Sequence, residues 1–205
     1  ELGRSILTSV KAQMNPHFFF FLLNSIQAFM YKNDNKQAIN YLSKFSKLTR
    51  LILTQTDLEH IRLSDEVNML KLYLDLESLR SNHTFIYNFS IDKEIDSNVV
   101  YLPPMLIQPY VENCIKHGFM ITPADAQINI HFEVKNIHLI VKIMDNGIGL
   151  KKAIELRNSE SNSFSSNANQ RRLDILNKAL NIDVSVRYDE ILDSKQNCVG
   201  TSVTL

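Results

Sequence analysis

Residues 13–24 read Gln-Met-Asn-Pro-His-Phe-Phe-Phe-Phe-Leu-Leu-Asn and set one histidine, His17, directly after Pro16 inside a run of helical pattern. Proline removes a backbone donor and crowds the preceding turn, so a helix that carries it is kinked or locally opened. A histidine at such a break is within reach of a partner. Near pH 7 its imidazole is largely neutral, which leaves a ring-nitrogen lone pair able to attack phosphorus. The competing reading is plain packing, because a lone histidine beside Phe18, Phe19, Phe20 and Phe21 also fits a core.

Two later segments carry residue types suited to a nucleotide. In Gln108–Gly118, Glu112, Asn113, Lys116 and His117 fall within little more than one helical turn, and Asn113 and Lys116 share a face. An amide oxygen is a hard ligand suited to Mg2+, and a lysine meets phosphate as a point charge. The same residues also fit an exposed polar helix face closed by Gly118 as a C-cap. The second segment, Ile143–Gly149, ends an apolar strand with Asp145, Gly147 and Gly149. A carboxylate there can accept a hydrogen bond from an exocyclic amine such as that of adenine. The glycines let the backbone turn sharply and approach a ligand. An ordinary strand-end turn is the alternative for this segment.

The elements that must position these groups fall into two blocks. Residues 1 to about 81 read as helical: Ile6, Val10, Met14, Phe18, Leu22 and Ile26 recur at helical spacing through the proline. Asn33-Asp34-Asn35 breaks the pattern and offers a cap. A second helix over Lys36–Thr54 has Ile39, Leu42, Phe45 and Leu48 as its apolar face. The two make a hairpin whose apolar surface calls for a second copy or another domain to cover it. Ser64-Asp65-Glu66 starts a third helix with Leu63, Val67, Leu70 and Leu74 as its stripe. Beyond about Thr84 the pattern turns to strands: Phe85–Ile91, a hairpin of 128–134 with 138–144, then Asp183–Tyr188 and Gly200–Leu205. Pro103-Pro104 ends an extended segment and starts a helix, and another helix covers about Gln170–Leu180. Asn158–Asn169 reads as a mobile polar loop. Helices with a largely antiparallel sheet predict a two-layer α/β sandwich in the second block.

Composition narrows the class. The 205 residues carry 22 basic and 22 acidic side chains, a zero balance that argues against a dedicated nucleic-acid binder. Two cysteines, Cys114 and Cys198, give no disulfide framework, and a reducing compartment fits. No apolar run approaches the roughly 18–20 residues needed to cross a bilayer. Glu1 already lies in helical pattern with no initiator methionine or signal peptide, so the chain reads as a piece of something longer. His60, His83, His131 and His138 show no ligand spacing and read as surface or core residues.

In this order, with a hairpin between them, the two glycine-containing segments resemble the N and G1 boxes of the GHKL ATPases. Essentially the whole chain resembles one subgroup more closely, the LytS/YehU-type sensor histidine kinases. That family carries Gln-x-Asn-Pro-His-Phe, matched by Gln13–Phe18, and Pro-Pro-Met/Leu-Leu-x-Gln-Pro-x-Val-Glu-Asn, matched by Pro103–Asn113. The resemblance implies an α+β chain: a helical dimerisation and phosphoacceptor hairpin over 1–82, then an ATP-binding sandwich of the Bergerat/GHKL type over 83–205. It implies His17 as phosphoacceptor and Asn113 as the Mg2+ ligand between the ATP phosphates. Lys116 and His117 would lie near the phosphates, Asp145 at adenine, and Gly147 and Gly149 in the pocket wall. Arg172 and Leu173 match the Arg-Leu that opens the helix after the ATP lid, and Gly200-Thr201 the Gly-Thr before the last strand.

The implied activity is autophosphorylation from ATP and transfer to an aspartate of a response regulator receiver domain, by a homodimer with no nucleic-acid partner. The implied place is a cytoplasmic domain of a protein anchored in the cytoplasmic membrane through a region before Glu1. Three positions depart from the family pattern. Phe21 stands where an asparagine is common, although Asn24 matches. The lid 158–169 has no glycine, where relatives have one near Ser165. Phe18 occupies the place of the acid that many histidine kinases set after the acceptor. These departures keep open a second reading, a degenerate kinase that dimerises, binds nucleotide and relays conformation without phosphotransfer.

Overall fold

The computed structural model describes residues 16–81, 85–121, 123–156 and 164–205, with only the backbone for 16–22 and 164–168. The chain divides into two compact units, one of residues 1–83 with 101–105, the other of residues 84–100 with 106–205.

The first unit is helical. Helix α1 spans Pro16–Tyr31 and α2 spans Asn35–Gln55. The turn between them forms as the asparagine-rich break predicts. Asn33 takes a left-handed φ of 56°, and the Asp34 carboxylate accepts from the Gln37 N–H at 3.0 Å, satisfying one orphan donor of α2. Phe29 and Tyr41 seal the hairpin with ring centroids 5.5 Å apart. Burial pushes the Tyr41 phenol up to about 12. The face of α2 differs from the expected one. Ala38, Tyr41, Leu48 and Ile52 are buried, whereas Ile39 and Leu42 are 69% and 47% exposed. The 3.6-residue period admits both stripes, and the large flat ring of Tyr41 decides which one meets α1.

Strand β1 (Ile61–Arg62) leads into α3 (Leu63–Arg80), and the Lys44–Asp75 ion pair ties α2 to α3. Helix α3 begins two residues earlier than expected, with Arg62 rather than Ser64 at the cap position. Ser64 lies inside the first turn with Asp65 and Glu66, where the acids face the positive helix end. Its stripe of Leu63, Val67, Leu70 and Leu74 is buried as expected, and Met69, Tyr73 and Leu76 are buried beside it. Strand β3 (Tyr101–Leu102) pairs antiparallel with β1, and the fully buried Glu66 accepts from the Met105 N–H at 2.9 Å. These bonds keep residues 101–105 with the helical unit, although the neighbouring sequence belongs to the other unit.

The second unit is a two-layer α+β sandwich. Its strands are β2 (Ile86–Ile91), β4 (Gln127–Lys135), β5 (His138–Asp145), β6 (Arg187–Leu192) and β7 (Cys198–Thr204), in the order β2-β4-β5-β7-β6. Only β2–β4 is parallel. Alternation sorts the faces: Ile128, Ile130, Phe132, Val141, Ile143 and Val203 are buried, while Asn129, His131, Glu133 and Lys142 face the other way. Full burial of a side chain such as Phe132 contributes roughly 1.5–3 kcal/mol. Helices α4 (Gln108–Asn113), α5 (Leu150–Leu156) and α6 (Phe164–Leu180), with a π-helical turn at Cys114–Gly118, supply the second layer.

The helix placed after Pro103-Pro104 begins only at Gln108, with Pro109 in its first turn, where a missing N–H costs nothing. The strand expected at Asp183–Tyr188 is Arg187–Leu192 instead. The Asn177 side-chain amide donates to the Val184 carbonyl at 2.8 Å and accepts from its N–H at 3.0 Å, so both groups are taken before a sheet partner can use them. Helix α6 starts at Phe164, inside the segment read as loop; 157–163 lie outside the described residues.

Glu66→Ala is expected to cost about 1–3 kcal/mol in urea unfolding, because a buried N–H loses its acceptor, whereas Glu66→Gln, which keeps one, should lose less. An alanine variant as stable as the parent would contradict this role.

Candidate functional site

The π-helical turn shapes the site. After Asn113 the helical ladder widens, and the Phe119 N–H reaches back to the Cys114 carbonyl at 3.1 Å. The extra residue in this turn carries the Gly118 backbone against the end of β5. The Ile148 N–H donates to the Gly118 carbonyl at 3.0 Å. A Cβ on Gly147 would lie 2.2 Å from that carbonyl oxygen, so no other residue fits at position 147. Gly149 follows with φ of 82°, a left-handed backbone that favours glycine.

Asp145 ends β5 at this junction and is 3% exposed. Its carboxylate accepts from the Gly147 N–H at 2.9 Å. Burial pushes its pKa up, opposed by bonds from Gly147, the Cys114 thiol and the Thr201 backbone. Cys114 is buried beside it, with its thiol raised well above the ordinary range by burial and by the Asp145 charge. Asn146 holds the turn from outside: its Oδ1 accepts from the Gln127 N–H at 2.7 Å and its amide donates to the Asp125 carbonyl at 2.9 Å. On the far side, Glu190 of β6 accepts from the Lys151 N–H at 3.1 Å and pairs with the Lys151 ammonium, fixing the first turn of α5.

Between the helical layer and the sheet these elements enclose a cavity of about 480 Å³, within the range of roughly 300–1,000 Å³ common for small-molecule sites. Asn113, His117, Asp145 and Gly149 all line it. Apolar walls come from Leu150, Ala153, Ile154 and Val203, with Tyr110 and Tyr188 at centroid separation 6.5 Å. The other expected residues lie elsewhere. Gly147 supports the wall from behind. The Lys116 ammonium pairs with Glu112 one turn earlier and is absent from the described lining. Arg172 sits in an adjoining crevice with Pro109, Tyr110 and Leu173. The backbone of His17 is in α1, and its side chain lies outside the described residues, as do Gln13–Asn15.

Several lining residues had no signal in the sequence. Tyr110 stands at the unspecified position of Gln-Pro-x-Val, Ile154, Val186 and Tyr188 lie in no motif, and Asn169 and Gln170 fell in or beside a segment read as loop. Cys114 is buried in the packing, and it also faces the cavity.

Comparison with known proteins decides the family. The family described as Histidine kinase matches residues 5–85. A sensor protein LytS of Enterococcus faecalis is 36% identical over 149 residues, 73% of this chain and 25% of that protein. The chain belongs to the LytS-type sensor histidine kinases. The LytS of Staphylococcus saprophyticus aligns over 97% of this chain and 33% of its own length at 30% identity, and the sensor histidine kinase BtsS of Escherichia coli over 71% and 25% at 32%. The chain thus spans between a quarter and a third of the length of these curated relatives. Its fold class is α+β. Among the described residues no helix is long and apolar enough to cross a membrane.

The raised pKa of Asp145 gives a pH test. A carboxyl whose folded pKa exceeds its unfolded value adds stability below the unfolded pKa and loses it as pH rises through the folded one. The Tm of Asp145→Asn minus that of the parent should therefore increase as pH rises from 4 to 7. A difference that falls over this range would contradict burial as the dominant influence.

Proposed function

We propose that the second unit binds ATP with Mg2+ in this cavity and that the γ-phosphoryl group passes to His17. The observation that carries the reading is one cavity lined both by the Asn113 amide and by the buried Asp145 carboxylate, with glycine backbone closing the turn between sheet and helix. The donor set fits the groups proposed. Asp145 presents an acceptor to the adenine amine in an apolar wall, and Asn113 offers a neutral oxygen to Mg2+ at the polar end. His117 lies on the same helical edge, near the phosphates. Lys116 needs only a rotamer change away from Glu112 to meet phosphate as well.

A neutral ring nitrogen of His17 attacks the γ-phosphorus. The N–P bond forms as the bond to the β–γ bridging oxygen breaks. That oxygen keeps the electron pair and departs in ADP, and the ring proton goes to solvent. The protein contributes positioning and charge neutralisation, the usual sources of rate in phosphoryl transfer. Phosphohistidine then donates its group to an aspartate of a response regulator receiver domain. The exposed Ile39, Leu42 and Leu53 of α2 support assembly as a homodimer through the helical unit. In the longer protein the kinase region would lie on the cytoplasmic side of a membrane anchor.

Asn113→Ala is expected to keep the fold, by circular dichroism, while label transfer from γ-labelled ATP drops to background. Parent-level phosphorylation by the variant would sink the metal-ligand assignment. ATP binding without transfer by the parent chain would select the relay reading instead.

A further inference from the structure

The face of the sheet turned away from the cavity carries a cluster that the kinase reading does not use. Ser90 and His131 are register partners across the parallel β2–β4 pair, and Ser90 Oγ lies 2.8 Å from His131 Nδ1. The other ring nitrogen, Nε2, lies 3.6 Å from Asp92 Oδ1 and 3.8 Å from Glu133 Oε2. One donor atom from each of Asp92, His131 and Glu133 falls within 4.8 Å of the others. The sequence hides this grouping, because Asp92 and His131 are brought together only by strand pairing.

We propose that Asp92, His131 and Glu133 form a binding site for a borderline divalent cation of the Zn2+ type. The donor chemistry favours such an ion: imidazole with two carboxylates suits zinc, whereas Ca2+ and Mg2+ take nearly all-oxygen shells. The two distances from His131 need little change, and the carboxylates must draw toward each other. Ligands at about 2.0–2.2 Å from a tetrahedral zinc lie roughly 3.3–3.5 Å apart, so His131 and each carboxylate close by a few tenths of an ångström. Asp92 is held for this by its own backbone, whose N–H donates to the Phe132 carbonyl at 3.0 Å. In the tautomer whose Nδ1–H donates to Ser90 Oγ, the Nε2 lone pair faces the two carboxylates, the arrangement that orients metal-bound histidines.

The two oxygens of Glu133 divide their work. Oε1 takes Lys142 at 2.7 Å and Lys135 at 3.2 Å, while Oε2 turns to His131. The lysines hold that carboxyl below its ordinary pKa and keep it ionised. They also offset its charge, so Asp92 and the imidazole supply most of the attraction. Asp92 is 46% exposed, which leaves an open side for water as a fourth ligand. A bound ion would staple the end of β2 to β4 and raise the melting temperature of the sandwich. The proposal rests on the sheet alone and is independent of the nucleotide site.

The test is calorimetric titration of the 205-residue chain with Zn2+, alongside thermal melting and Co2+ absorption spectra. The parent should bind one equivalent that raises Tm. His131→Ala should lose that equivalent and Asp92→Asn should weaken it. Ser90→Ala, which keeps all three ligands, should weaken it by about tenfold or more. The Co2+ spectrum should show d–d bands without thiolate charge transfer. Unchanged zinc binding in His131→Ala, no binding by the parent, or a thiolate band assigning the ion to Cys114 or Cys198 would overturn the proposal. If His131→Ala fails to fold, Asp92→Asn and Ser90→Ala decide it, and parent-like affinity in both would be equally fatal.

Discussion

The close approach of Gly147 to Gly118 is the constraint on which the second unit depends. Two backbones meet there with no room for a side chain, and the contact exists because one π-helical turn after Asn113 delivers Gly118 to the end of β5. Asp145 is trapped beneath it. Its carboxylate is sealed from water yet bonded by Gly147, Cys114 and Thr201, which balances part of the cost of burial. Had the helix continued with α geometry, Gly118 and His117 would face elsewhere. The same junction therefore sets both the depth of Asp145 and the direction of the polar residues at the cavity mouth.

The helical unit obeys a different constraint, the shape of Tyr41. Once its ring is packed against Phe29, one stripe of α2 is fixed inward and Ile39 and Leu42 are left outside. The unit thus spends part of its apolar surface on its own core and keeps part unpartnered. Glu66 and the β1–β3 pairing draw residues 101–105 into the same unit, so a short piece of chain between two strands of the sandwich serves the helical core. The chain returns to the sandwich at Leu106, just ahead of α4.

Much of this was legible in the residues because local chemistry determined it. The β4–β5 hairpin followed from alternation around Lys135-Asn136, and the α1–α2 turn from the Asn33-Asp34-Asn35 break with its offer of a cap. The Asp145-x-Gly147-x-Gly149 run marked a strand end needing glycine. Asn113, His117 and Asp145 were picked out by type and spacing, and the fold brings them to one cavity. What stayed hidden was set at a distance. No periodicity announces a π-turn. The capture of Val184 by Asn177 moved β6 down the chain, and the Ser90–His131 pairing appears only when strands far apart in sequence align. Arg62 took the cap position ahead of the better-suited Ser64 because β1 pairing fixes the backbone up to Arg62.

The proposed reaction moves a phosphoryl group from a nucleotide held at Asp145 and Asn113 to His17. The most direct measurement incubates the purified chain with Mg2+ and γ-labelled ATP beside His17→Gln. It predicts an acid-labile, alkali-stable label on the parent and none on the variant. Equal labelling of both chains, or an acid-stable label, would contradict it.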